Sequence, residues 1–170
     1  LAQAGLNVTI ADINEDALEQ VVATRANQFR GVKLDTRDLD NWKRAKDEAE
    51  KAFGRLDILI NNAAIFSQIT MGPFWDLPVD EWKRAVDVNV NGAFLCSRAA
   101  VKPMIEAKWG RIINVSSGTM MSGRPNYLHY ITTKAAMIGM TRSMARECGP
   151  YGITVNTFWP GVMQTAVERP

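Results

Sequence analysis

The sequence predicts an α/β protein built on a doubly wound parallel sheet. Five short runs rich in Val, Ile and Leu alternate with helical patterns along the 170 residues. The runs are almost continuously apolar, which is typical of parallel strands that are covered by helices on both faces. Polar or backbone-shaping residues follow each run, at the edge where such sheets bind their ligands. These residues are Asp12, Asp35, Asn61 and Asn62, Ser117, and Pro160 with Gly161.

The first part of the chain contains three predicted strands separated by two helices. The strands are residues 7–11, 31–34 and 56–60. Asn14 is expected to cap a helix that runs to about Gln28, because a side-chain oxygen at this position accepts a hydrogen bond from the first turn. Asp38 or Asp40 is expected to start the second helix, which Gly54 ends.

The second part continues the same alternation of helix and strand. Pro78 is a good first helical residue, and a helical pattern runs from about residue 79 to residue 108, with a possible break near residues 89–92. A further helix carries Tyr130 and is predicted to run to about Glu147. The remaining strands are residues 111–115 and 152–158.

Length and composition favour a single globular domain over residues 1–170. A hydrophobic fraction of 46% is enough for a core, and a net charge of +2 with no basic run argues against nucleic acid as a partner. No uninterrupted stretch of 18 apolar residues exists, so no membrane span is predicted. The two cysteines, Cys96 and Cys148, are expected to be small buried residues, and a single histidine predicts no metal site.

A candidate proton-transfer site lies between the fourth and fifth predicted strands. Ser117 ends a strand, Tyr130 follows 13 residues later, and Lys134 lies four residues beyond the tyrosine, on the same helix face. A free phenol has a pKa of about 10, and a nearby cation lowers it toward neutrality. A Tyr-x-x-x-Lys pattern alone is weak, because a helix with a half-buried tyrosine and a solvated lysine also produces it.

With these residues in place, the chain resembles the short-chain dehydrogenase/reductase family over essentially all of its length. Ser117, Tyr130 and Lys134 match the catalytic set of that family, and Asn89 matches a fourth catalytic residue that holds a relay water. Asn61–Ala64 resembles the family's Asn-Asn-Ala-Gly motif, with alanine in place of the last glycine. The resemblance implies a Rossmann-like fold, and hence a single dinucleotide-binding and catalytic domain.

The resemblance also implies the cofactor site. Its predicted contacts are Asp12, Asp35, Asn61, Ala63, Tyr130, Lys134, Pro160, Gly161 and Thr165. Asp12 has a physical argument of its own, because a carboxylate at a strand end can accept both adenosine ribose hydroxyls and repels a 2′-phosphate. No Arg or Lys follows within the next three residues, so NAD is preferred to NADP; the alternative is that Asp12 is only a turn residue.

One part of the family pattern has no counterpart in the sequence. The family's first strand, with the glycine-rich turn that receives the pyrophosphate, lies in the middle of its sheet, and neither this strand nor the last one is found. We expect two strand edges to face a gap, and we expect the chain to be a segment of a longer protein. For that protein we expect a small-molecule substrate, a homotetramer or homodimer, and a cytoplasmic location.

The function that the resemblance implies is hydride transfer between a nicotinamide cofactor and a secondary alcohol or ketone. An NADPH-dependent 3-oxoacyl thioester reductase, an epimerase-like or dehydratase-like enzyme, and a non-catalytic binding protein remain alternatives. His129 is interpreted as a structural or pocket-wall residue rather than a second catalytic acid. Several further side chains are interpreted as pocket wall or core packing. These are Phe66, Phe74, Met120, Met121, Tyr127 and Trp159.

Overall fold

The computed structural model describes residues 1–66 and 68–161, which form five parallel strands and six α-helices. The strands are β1 (Val8–Asp12), β2 (Phe29–Lys33), β3 (Ile58–Asn61), β4 (Gly110–Val115) and β5 (Ile153–Phe158). The helices are α1 (Glu15–Ala23), α2 (Leu39–Phe53), α3 (Val79–Val86), α4 (Gly92–Glu106), α5 (Thr119–Ser122) and α6 (Leu128–Cys148). Short 3₁₀ turns occupy Ala2–Ala4, Phe74–Asp76 and Gly149–Tyr151. The predicted α/β class is confirmed.

Within the described residues, the strands divide into two sheets with a groove between them. One sheet pairs β1 with β2, and the other has the order β3-β4-β5, with every pairing parallel. β1 and β3 line the walls of a groove of about 600 Å³. This is the gap that the sequence predicts between these two strands.

The hydrophobic core follows the same division. The larger cluster packs β4 and β5 against α4 and α6 around Met104, Ile112 and Ile153, each at most 1% exposed. A smaller cluster packs Val32 of β2, and Leu34 just after it, against Ala45 of α2. Burial of several such side chains, at about 1.5–3 kcal/mol each, holds each sheet to its helices. None of the described helices combines the length and the apolar character needed to cross a membrane.

Most predicted helix ends are confirmed by their hydrogen bonds. The Asn14 side chain accepts from the Ala17 N–H, and the Asp38 side chain accepts from the N–H groups that follow it, which selects Asp38 over Asp40 as the cap. Gly54 ends α2 in the left-handed conformation, with φ of 79°. Pro78 is the residue before α3 rather than its first residue.

The largest boundary errors fall in three elements. α1 ends at Ala23 instead of continuing to about Gln28, because the Thr24 hydroxyl donates to the Val21 carbonyl and a turn follows. β2 begins at Phe29, two residues before the predicted start at Gly31, because Phe29 pairs with Val8 across the sheet. β3 spans Ile58–Asn61 instead of residues 56–60.

The long helical pattern after Pro78 is divided by a π-helical turn at Asp87–Asn91, near the predicted break. π-helical turns often occur at functional sites. The turn is followed by Gly92, whose lack of a side chain permits close approach of Thr36. A Cβ atom at this position would lie 2.9 Å from the Thr36 Cβ.

Gly152 supplies a stability test of the turn before β5. Its φ is 73°, and an added Cβ would lie 2.4 Å from the Lys108 carbonyl oxygen. We expect Gly152→Ala to lower the free energy of unfolding by about 1–2 kcal/mol from left-handed strain and by roughly 1–3 kcal/mol more from the clash. Urea unfolding measures this loss.

Gly54→Ala is the matched control. Gly54 has φ of 79°, but nothing lies within 4 Å of an added Cβ. It should therefore carry the left-handed strain without the clash. Equal losses in the two variants would contradict the role assigned to the Lys108 carbonyl.

Candidate active site

The end of β4 and the second turn of α6 are joined by reciprocal hydrogen bonds. The Lys134 Nζ donates to the Val115 carbonyl at 2.8 Å, and the Ser116 hydroxyl donates to the Lys134 carbonyl at 2.6 Å. Ser116 and Lys134 are both buried. These contacts place Ser117, the next residue after Ser116, beside the helix that carries Tyr130.

Tyr130 lies in the first turn of α6 and is 8% exposed. The Phe66 ring packs on its ring with centroids 4.7 Å apart, and the Lys134 Nζ lies 5.8 Å from its ring centroid. The lysine is thus close enough for its charge to act on the phenol, as the helical spacing predicts. Burial lowers the pKa of Lys134 from 10.5 to about 8, which leaves it largely protonated at neutral pH.

Ser117 presents its hydroxyl at the carboxyl end of β4. Its oxygen accepts hydrogen bonds from the Thr119 N–H at 3.3 Å and from the Thr119 hydroxyl at 2.9 Å. Because Ser117 acts as the acceptor in both, its own proton remains available for donation. The next residue, Gly118, donates its N–H to the Pro160 carbonyl, which brings Pro160 and Gly161 to the same edge.

Asn89 is buried in the π-helical turn and joins two other elements. Its Oδ1 accepts from the Ile65 N–H at 2.7 Å, and its Nδ2 donates to the Thr133 hydroxyl at 3.0 Å and to the Ile65 carbonyl at 3.4 Å. The Thr133 hydroxyl in turn donates to the Tyr130 carbonyl. Asn89 therefore links the loop after β3 to the helix of Tyr130, and its amide is used in these protein contacts.

A chain of buried polar side chains crosses the three-stranded sheet. The Asn61 Nδ2 donates to the Ser97 hydroxyl and to the Asn114 Oδ1, at 2.9 and 2.8 Å. Asn114 then donates to Thr141, which also receives the Thr157 hydroxyl. Sequence reasoning missed all of these except Asn61. The asparagine inside the apolar run of β4 was the available signal.

The predicted adenosine contacts lie around the groove between β1 and β3. Asp12, Asn61 and Ala63 line it, together with Thr36 from the loop that carries Asp35. The Asp12 carboxylate is exposed and accepts from the Asn14 N–H at 2.9 Å. Asn61, in contrast, turns its amide inward to the buried chain.

Asp35 is held by a cation two residues further along the chain, the side chain of Arg37. The Arg37 guanidinium donates hydrogen bonds to both carboxylate oxygens of Asp35. These bonds, together with one from the Arg37 backbone N–H, lower the pKa of Asp35 to about 2. This pairing competes with the adenine contact that the resemblance implies. Thr165, the last predicted cofactor residue, lies outside the described residues.

The predicted pocket-wall residues divide between core and surface. Tyr127 and His129 are almost fully buried, and Phe66 is half-buried against Tyr130. The Phe74, Met121 and Trp159 side chains are more than half exposed. Cys96 and Cys148 are buried free thiols whose pKa values burial raises, which confirms their interpretation as small core residues.

The chain belongs to the short chain dehydrogenase family, whose model matches residues 1–170. A 3-alpha-(or 20-beta)-hydroxysteroid dehydrogenase of Mycobacterium tuberculosis is 42% identical over 161 residues. That match covers 95% of this chain and 61% of the relative, so the chain spans about three-fifths of the relative's length.

Two solved structures share this fold. The NAD+-bound xylitol dehydrogenase superposes with a TM-score of 0.91 at 33% identity, covering 97% of this chain and 64% of that one. The structure of ElxO with NADP bound superposes with a TM-score of 0.85 at 29% identity, covering 94% of this chain and 65% of that one. The predicted family and its Rossmann-like fold are confirmed, while the two bound cofactors differ.

Burial of Lys134 predicts a pH dependence of stability. Below pH 8 the folded protein must bury a charged ammonium, which opposes folding. Between about pH 8 and the ordinary value of 10.5, the folded state loses this proton while the unfolded state retains it, so the cost falls as pH rises. The contribution of Lys134 to unfolding free energy should rise by about 3 kcal/mol across this range.

Comparison with Lys134→Met isolates this contribution, because the side chains have similar length and methionine does not titrate. Urea unfolding of both proteins at pH 7.5, 9 and 10 gives the difference in unfolding free energy. We expect the unfolding free energy of the original protein to increase relative to that of the variant as pH rises. A difference that stays constant with pH would contradict the burial argument.

Proposed function

We propose that the protein carrying this chain is an oxidoreductase that transfers a hydride between a nicotinamide cofactor and a secondary alcohol or ketone, with Tyr130 as general acid and base. The observation that carries this proposal is the joint burial of Tyr130 and Lys134 beside Ser117 at the carboxyl end of β4. The named activities of the family relatives, which act on hydroxyl-bearing substrates, agree with it.

The proton transfer follows from three side chains. In oxidation, the Tyr130 oxygen accepts the proton of the substrate hydroxyl; in reduction, it returns a proton to the oxygen of the ketone. The Lys134 ammonium stabilises the phenolate, and one cation near 4–6 Å contributes about 3–4 kcal/mol at an effective dielectric constant of about 20. The Ser117 hydroxyl donates to the same substrate oxygen as its charge develops.

When bound, the nicotinamide ring supplies the hydride acceptor for oxidation and the hydride donor for reduction, and the hydride leaves or joins the substrate carbon that bears the oxygen. The residues present fit such a group at the carboxyl edge of the sheets. Asp12 offers an exposed carboxylate for ribose hydroxyls, Lys134 would hold the nicotinamide ribose, and Pro160 with Gly161 lies next to Ser117 for the carboxamide. Asn89 is proposed to position relay water; its Nδ2 is bonded to Ile65 and Thr133, and its Oδ1 keeps a second lone pair as an acceptor.

We infer a preference for NAD over NADP from Asp12. Its carboxylate is exposed at the end of β1. A 2′-phosphate would meet this negative charge. Lys33, opposite Asp12 in β2, is already paired with Glu15 at 2.8 Å. A basic group beside the ribose site would weaken the preference, and the exposed ion pair with Glu15 partly neutralises the charge of Lys33.

The helices α4 and α6 are proposed to form the subunit interface of a homotetramer or homodimer. Phe94 on α4 is half exposed, and Ala135 and Gly139 on α6 lie at the surface, with open space beyond Gly139. Ala100 faces the core and takes no part. Small outward residues allow close helix packing between subunits.

Tyr130→Phe tests the catalytic role. The substitution removes the hydroxyl that exchanges the proton and leaves the ring that packs on Phe66. We expect alcohol oxidation by the protein to fall by a factor of about 10²–10⁴, with NADH affinity changed less than threefold. Steady-state turnover and nicotinamide fluorescence measure the two quantities.

Tyr151→Phe is the matched control, because Tyr151 is exposed in the turn before β5 and distant in sequence from the site. It should keep full turnover. Retention of turnover by Tyr130→Phe would refute the assignment of the acid and base.

Asp12→Ser tests the cofactor preference. Removing the carboxylate removes its repulsion of the 2′-phosphate, so NADPH should bind about tenfold tighter and NADH more weakly. Fluorescence titration with both nucleotides gives the dissociation constants. Asp16→Ser, which removes a nearby exposed carboxylate of α1, controls for net charge. Tighter binding of NADPH than of NADH by the unchanged protein would overturn the inference.

A further inference from the structure

A buried histidine contacts a carboxylate next to the proposed acid and base. His129, immediately before Tyr130, is 1% exposed, and its Nε2 lies 3.1 Å from the Glu81 Oε1. Glu81 lies in the first turn of α3, 48 residues earlier in the chain. The contact therefore ties the start of α3 to the start of α6.

Glu81 also holds the loop that precedes α3. Its Oε1 accepts from the Thr70 N–H. Burial by itself would raise the pKa of Glu81, but the hydrogen bonds from Thr70 and the proximity of His129 lower it overall. The carboxylate is thus an ionised acceptor, and the His129 Nε2 carries the proton of their hydrogen bond.

The loop held in this way covers the ring of Tyr130. We define the β3–α3 loop as residues 62–66 and 68–73. Its Ile65, Phe66 and Ile69 side chains belong to the apolar cluster around Tyr127 and Tyr130. Asn89 anchors the loop at Ile65, and Glu81 anchors it at Thr70. The two anchors lie on either side of the ring contact between Phe66 and Tyr130.

We propose that Glu81 and His129 form a positioning pair that fixes the β3–α3 loop and the first turn of α6 around Tyr130. Its catalytic consequence rests on the proposed function. The pair acts through Tyr130: it holds the phenol in one place relative to Lys134 and Ser117. A misplacement of about 1 Å can reduce the rate of a reaction about 10²-fold.

His129 does not serve as a second acid at the substrate. Its Nε2 is used by Glu81, and its Nδ1 is buried without a hydrogen-bond partner among the described residues. Neither nitrogen is accessible from solvent. The His129 side chain therefore links α6 to α3, next to Tyr130 in the sequence, and does not contact the substrate.

Glu81→Ala tests the pair, because it removes the acceptor of both the Thr70 and the His129 hydrogen bonds. The neighbouring Asp80→Ala is the matched control, since that side chain is 99% exposed and loses the same charge. Hydrogen exchange of the amides in residues 68–73 reports directly on the loop. We expect exchange about tenfold faster in Glu81→Ala and unchanged in Asp80→Ala.

The conservative variants Glu81→Gln and His129→Gln separate positioning from general loss of structure. Glutamine at position 81 still accepts, and glutamine at position 129 still donates from a nitrogen at similar reach. Both should keep slow exchange. In turnover of a secondary alcohol, Glu81→Ala should lose about tenfold or more in kcat/KM with the NADH dissociation constant unchanged, and Glu81→Gln should recover most of the loss.

The outcomes distinguish this proposal from the proposed function. Slow exchange in Glu81→Ala, equal to that in Asp80→Ala, overturns the positioning pair whatever the enzyme does. Fast exchange with unchanged kcat/KM overturns its catalytic consequence. If the unchanged protein oxidises no alcohol and binds no nucleotide, the proposed function fails, while the exchange measurements still decide whether the pair holds the loop.

Discussion

The joint between β4 and α6 determines the geometry of the candidate site. A lysine side chain inside α6 reaches the last carbonyl of β4, and the serine after that strand returns a hydrogen bond to the lysine backbone. The two contacts fix the position of α6 relative to the carboxyl end of β4. They thereby set the positions of Ser117, which directly follows Ser116, and of Tyr130, which lies one helical turn before Lys134.

This joint has an electrostatic cost that helps to define its role. A buried ammonium is unfavourable, and the lowered pKa of Lys134 expresses that cost. A surface lysine at the same position would stabilise the fold more, but its charge would be screened by water before it reached the phenol. The burial is understandable if the charge acts on Tyr130.

A chain of buried polar side chains further stabilises the contact between β4 and α6. Asn114, near the carboxyl end of β4, is joined to Asn61 of β3 and to Thr141 of α6. Because an unsatisfied buried amide costs about 1–3 kcal/mol, these bonds favour one register of strands and helix over its neighbours. The same chain explains why the Asn61 side-chain amide bonds inward to Ser97 and Asn114, although the residue borders the groove.

The sequence allowed the local features of this protein to be predicted better than the distant ones. The features that were predicted correctly depend on residues a few positions apart. They are the helix caps at Asn14 and Asp38, the break before Gly92, and the spacing of Tyr130 and Lys134. The Ser97 and Asn114 partners of Asn61, and the His129 partner of Glu81, lie 36 to 53 residues away, and no local pattern identifies them. The end of α1 was missed because the Thr24 hydroxyl competes with the helix for a carbonyl.

Transfer of label from substrate to cofactor tests the central claim most directly. A secondary alcohol deuterated at its carbinol carbon is incubated with the protein and NAD, and the reduced cofactor is analysed by mass spectrometry. The account predicts one deuterium in the reduced cofactor for each ketone formed, and loss of both products in Tyr130→Phe. A folded protein that binds NADH yet yields no labelled cofactor from a broad panel of secondary alcohols would contradict it.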